Sequence, residues 1–137
     1  MTDKLDPQSR LDLIQYRIKR AFETLEEADY NAKASYFNTA VNRLYYAVFY
    51  AACALLLSKE IECNSHKGVK TMLSLHFVKN GILDSKYAKI FNILFQNRQS
   101  GDYEDFIYCD AELYNDLRPK SQDFIEAINN ILEVSDR

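Results

Sequence analysis

A chain of 137 residues fits one domain and buries about 70% of the surface its unfolded form exposes, so it needs no disulfide or metal staple to fold. Its net charge of −3, with seventeen basic residues scattered along the sequence, excludes a broad electrostatic footprint for non-specific nucleic-acid binding, though not one local RNA contact. Three glycines and two prolines leave little turn chemistry for a many-stranded sheet, which favours an all-α fold, read below as a bundle of about five helices in a single domain over residues 1–137.

Asp6-Pro7 reads as an N-cap followed by proline at the first helical position, where its missing N–H costs nothing. Leu11, Ile14, Ile18, Phe22 and Leu25 then mark one face of an amphipathic helix out to about Asp29, and Asp29-Tyr30-Asn31 reads as the turn that follows. The central helix spans Ser35 to Ser58. Between Arg43 and Lys59 it carries fifteen residues without a formal charge, and it is apolar on two faces, so neighbours must cover it on more than one side. The uncharged run is shorter than the roughly 20 residues of a membrane span and holds tyrosines, which argues against insertion in a bilayer. Asn42, Tyr46, Tyr50 and Cys53 add a more polar stripe at i, i+4 spacing.

Lys59 to Asn64 is a loop. Ser65 then caps a helix that turns Val69, Met72, Leu73, His76 and Phe77 inward, with Gly81 closing it in a left-handed turn. Asp84 caps the next helix, whose apolar ladder is Tyr87, Ile90, Phe91, Leu94 and Phe95 and which ends near Asn97 or Arg98. The stretch from Gln99 to Asp105 is irregular and acidic. A last helix starts near Asp110, and because its apolar phase survives across Pro119 it is expected to be one kinked helix rather than two. Three cysteines without CxxC spacing fit reduced thiols, and the N-terminus lacks a signal-like apolar stretch, so a cytoplasmic location is expected.

Most catalytic schemes lack their parts. There are two histidines, no HExxH, no EF-hand loop, no paired CxxC and no glycine-rich phosphate loop, so neither metal nor cofactor is expected. Glu26-Glu27 and Glu104-Asp105 are adjacent pairs that point in different directions on a helix and read as solvated surface. Arg98 ends an apolar ladder just before Gly101, Asp102 and Tyr103. It can clamp a phosphate bidentately or pair with Asp102, and Tyr103 can be a packing aromatic or part of that site. His66 near a helix start can cap, or can donate to phosphate and exchange protons.

In order along the chain, AVNRLYYAVF (40–49), SHKGV (65–69), FVKNG (77–81) and RQSGDY (98–103) resemble the HEPN family of small helical domains, over about residues 10–134. The resemblance implies an up-and-down bundle, commonly a two-fold homodimer. It also implies either a metal-independent endoribonuclease, with an Arg-x4–6-His motif, or a companion of a minimal nucleotidyltransferase in a toxin–antitoxin or defence pair, in which the partner can place AMP on a tyrosine near the motif. Arg98 matches the motif arginine, but no histidine follows at that spacing: Tyr103, Glu104 and Asp105 occupy those positions. Tyrosine, with a reference pKa of about 10, is a poor base near neutrality.

Three functions follow from that resemblance. The first is a binding module for a nucleotide, RNA or the nucleotidyltransferase, with Arg98, Asp102 and Tyr103 supported by Asn42, Tyr46 and His66. The second is a ribonuclease in which Arg98 holds the phosphate and His66 or Tyr103 moves protons. The third is a purely structural dimer.

Overall fold

The computed structural model describes residues 5–98 and 108–135. Among them are five α-helices and no strand: α1 (Pro7–Lys33), α2 (Phe37–Leu57), α3 (His66–Leu73), α4 (Ser85–Asn97) and α5 (Ala111–Ser135), with a single π-helical turn (Ser74–Val78) extending α3. The expected all-α bundle of five helices is what the chain forms.

Three helix starts follow the expected capping chemistry. The Asp6 carboxylate accepts from the Ser9 backbone N–H, Ser65 Oγ from that of Gly68, and the Asp84 carboxylate from that of Lys86. α1 runs through the expected turn at Asp29–Asn31 and ends two residues beyond it, at Lys33, and the reason lies in its side chains. Asp29 faces α5 and binds it from within the helix, while Asn31 donates to the Glu27 carbonyl one turn back. The reversal is instead made at Ala34–Tyr36, where Ser35 adopts φ 65°.

α2 is the axis. Every residue from Ala51 to Leu57 is buried, and α1, α3, α4 and α5 all pack on this helix. It is long and apolar enough to pass as a membrane span by length and composition, yet 72% of that window is buried inside the bundle, which makes it a core helix here. Around it close Phe77, Phe91, Phe124, Leu94, Leu117 and Ile128.

Pro119 sits inside one continuous α5. The carbonyl that loses its partner, that of Asn115, belongs to an exposed residue, so water can serve it. α3 departs from a plain helix at its end: the π turn closes through Lys79 N–H on the Ser74 carbonyl at 3.0 Å, and the His76 carbonyl accepts instead from Asn80 Nδ2 at 2.7 Å and Lys59 Nζ at 3.3 Å. Gly81, at φ +79°, then reverses the chain, as its sequence position predicts.

Candidate functional site

The site forms where the N-terminus of α3 meets the C-terminus of α4 over the middle of α2. α4 contributes one stripe, Phe91, Asn92, Phe95 and Arg98, because residues three, four and seven apart share a helix face. α2 contributes Tyr45, which is 3% exposed, and α3 contributes its first residue, His66.

His66 lies flat against Phe95, with ring centroids 3.7 Å apart and planes 13° apart, and stacks on Phe91 at 4.7 Å. Its Nδ1 is 3.1 Å from the Tyr45 hydroxyl and its Nε2 is 3.2 Å from Asn92 Oδ1. With Asn92 Oδ1 as acceptor, the ring proton sits on Nε2, and Nδ1 accepts from Tyr45. Burial holds this imidazole below its ordinary pKa. The Asn92 hydrogen bond opposes that shift, and Lys70 and Arg98 add to it. His66 is therefore a neutral ring near pH 7 with both nitrogens engaged. The same burial pushes the Tyr45 phenol well above its usual range despite the opposing Arg98 charge.

Arg98 is where the chain leaves α4, at φ −72°, ψ 148°, its N–H still bonded to the Leu94 carbonyl at 3.0 Å. Its guanidinium carbon lies 4.2 Å from the Phe95 ring centre and 5.5 Å from that of Tyr45. The two rings are inclined at 60° to each other, and the guanidinium, attracted to both, also meets the Tyr45 hydroxyl, which leaves most of its five N–H donors for other partners. Among the described residues no carboxylate forms an ion pair with it. The arrangement is a pre-oriented cation beside a neutral, fully hydrogen-bonded imidazole.

Of the residues singled out from sequence, Arg98 and His66 thus converge on one ring. Tyr46 stands one ring away, edge-on to Tyr45 at 5.2 Å, with Arg43 over its face at 5.1 Å. Asn42 Oδ1 accepts from the Arg43 guanidinium at 3.1 Å. Asp102 and Tyr103 lie outside the described residues. Two members had not been anticipated, Tyr45 and Asn92. The signal for Asn92 was present: a polar residue three positions before Phe95 and six before Arg98, inside an apolar ladder.

A family model described as the HEPN domain matches residues 14–136. A Thermotoga maritima protein named a UPF0332 protein is 36% identical, the match covering 88% of this chain and 92% of that one. Two Methanocaldococcus jannaschii proteins, each named a putative toxin, are 34% identical; their matches cover 90% of this chain and 89% of the relative, and 79% and 87%. With the family model spanning nearly all of a five-helix bundle, this chain belongs to the HEPN domain family.

Proposed function

We propose that this toxin-like HEPN module binds a nucleotide or RNA phosphate through Arg98, and acts as a cytoplasmic homodimer beside a minimal nucleotidyltransferase in a toxin–antitoxin or defence pair. The observation that carries the reading is the Arg98 guanidinium, set against the Phe95 and Tyr45 rings and in no ion pair with any described carboxylate. Planar donors held in place suit the bidentate capture of phosphate. Asp102 and Tyr103 follow within five residues in sequence, and Tyr103 is the candidate acceptor of AMP.

The test is titration of a fluorescent 5′-labelled oligoribonucleotide against the wild type, Arg98→Ala and Arg98→Lys. Arg98→Ala is expected to bind at least about tenfold more weakly, because a charge-assisted bidentate contact is lost, and Arg98→Lys to fall between, because a point charge replaces the fork. Equal binding by all three rejects the phosphate site. The companion role is tested by co-purification with the nucleotidyltransferase encoded nearest to it and by mass analysis of Tyr103 after incubation with that protein and ATP. Neither complex nor adduct would remove the pairing.

The meeting of Arg98 and His66 supports a second reading, a metal-independent endoribonuclease. As found, His66 must give up its Tyr45 bond before Nδ1 can take a proton, which places the enzyme reading second.

A further inference from the structure

The seventeen basic residues are spread through the sequence, but their opposite charges are not. From Cys63 to Leu83 there is no aspartate or glutamate, and this interval is α3, its π turn and the following reversal. Lys67, Lys70, Thr71 and Ser74 share one face of α3 at i, i+3, i+4 and i+7 spacing, while Val69, Leu73 and Phe77 go into the core from the other. With Leu75 and Lys79 they line a shallow depression of about 430 Å³. All three lysines are exposed, and among the described residues none forms an ion pair. The arginines of α1, α2 and α5 behave differently: Arg10, Arg17, Arg20, Arg43 and Arg118 are each matched to a carboxylate.

The position of this face gives it meaning. It starts at His66, the first residue of α3 and a wall of the Arg98 site, and leads away from it for roughly 18 Å at the rise of a helix. We propose that Lys67, Lys70 and Lys79 form a track for the backbone of single-stranded RNA whose end nucleotide is held at Arg98. The proposal rests on the phosphate reading of Arg98. Flexible lysines spaced along an acid-free helix face, with hydroxyls between them and no aromatic ring for a base to stack on, suit successive phosphates rather than base edges. A protein partner would meet only one apolar side chain there, Leu75.

The probe is a labelled single-stranded oligoribonucleotide of mixed sequence, titrated at several salt concentrations. For single strands the slope of log affinity against log salt changes by about 0.7 per phosphate contact. Simultaneous Lys67→Gln, Lys70→Gln and Lys79→Gln is expected to flatten the slope by about 2 and to weaken binding at low salt at least about tenfold. A control carrying Lys19→Gln, Lys33→Gln and Lys89→Gln, three exposed lysines elsewhere, changes net charge equally and is expected to keep the wild-type slope. Unchanged melting checks that both variants fold.

An unchanged slope in the α3 variant, or equal flattening in the control, overturns the track. So does retained RNA binding with loss of a co-purifying nucleotidyltransferase, which would make the face a protein contact. If the α3 variant loses binding while Arg98→Ala binds like the wild type, the track stands and the phosphate site at Arg98 fails. If the wild type binds AMP through Arg98 but no oligoribonucleotide, the site stands and the track fails.

Discussion

Two clusters of this bundle use almost the same parts to opposite ends. Between α1 and α5, Arg118 donates to Asp29 through Nε at 2.7 Å and Nη2 at 2.9 Å, the Tyr114 hydroxyl donates to the same carboxylate at 2.5 Å, and the third guanidinium nitrogen donates to Gln122 at 2.7 Å. At the α2–α3–α4 junction an arginine and a tyrosine meet again, but Arg98 rests on rings and the acceptor on offer is a histidine. The first cluster closes its electrostatics internally and ties two helices. The second sets its cation against aromatic rings, and among the described residues no carboxylate pairs with it. An arginine is thus read by its acceptors: Arg118, matched, is a strut, and Arg98, without a described carboxylate, is the proposed site.

The contrast breaks most visibly at Asp29. Asp29→Ala leaves a half-buried guanidinium and a buried phenol without their acceptor, and an expected loss of about 2–3 kcal/mol follows from stranding such groups. Chemical denaturation measures it, and oligoribonucleotide binding per folded molecule is expected to be unchanged. Acid adds a sign. The hydrogen bonds from Arg118 hold the Asp29 carboxyl below its ordinary range, against a smaller opposing effect of burial. Its contribution is therefore complete above the unfolded carboxyl value of about 3.9 and is lost as pH falls through the lower folded value. Asp29→Asn removes that part of the acid sensitivity, which melting curves between neutral and acid pH detect.

A substitution at Phe95 sharpens the other half. Phe95→Leu keeps an apolar side chain of similar reach but removes the aromatic ring that both His66 and Arg98 contact, at an expected cost of about 1 kcal/mol in stability. Binding of the oligoribonucleotide is expected to weaken severalfold more than stability predicts, because the guanidinium loses the nearer of its two aromatic contacts. Binding equal to wild type would show that Arg98 needs no platform.

How these clusters could be read in the sequence differs as well. Helix starts at Asp6, Ser65 and Asp84 were plain because a cap acts within three residues, and the apolar ladder of α4 gave its buried face. Arg98 and His66 were both candidates. What the sequence lacked was their meeting, since 32 positions separate them and only the packing of α3 and α4 on α2 joins them. Asp29 was read as a turn for the same reason: its partners, Tyr114 and Arg118, lie more than 80 positions away. The π turn after Leu73 has no cue in composition; it closes through the Lys79 N–H on the Ser74 carbonyl.

The smallest expected effect is the most specific to the site. In the wild type, burial lowers the His66 pKa, so folding favours the neutral ring; that stabilisation is complete above the unfolded value of about 6.5 and declines as pH falls below it towards the lower folded value. Asn92→Asp places a carboxylate against Nε2, the nitrogen that now meets an amide oxygen at 3.2 Å. An imidazolium is then favoured, the folded pKa rises, and the sign reverses: stability is gained below the folded value and lost as pH rises through it. The change is small, because burial, Lys70 and Arg98 still oppose the proton. Melting at pH 5.5 and pH 8, with NMR titration of the His66 ring, is expected to show opposite slopes in the two proteins. The same substitution sets a carboxylate near Arg98, so it is also expected to weaken oligoribonucleotide binding. If the His66 titration moves and binding does not, Arg98 acts independently of the histidine, and the cluster divides into a packed platform and a separate cation.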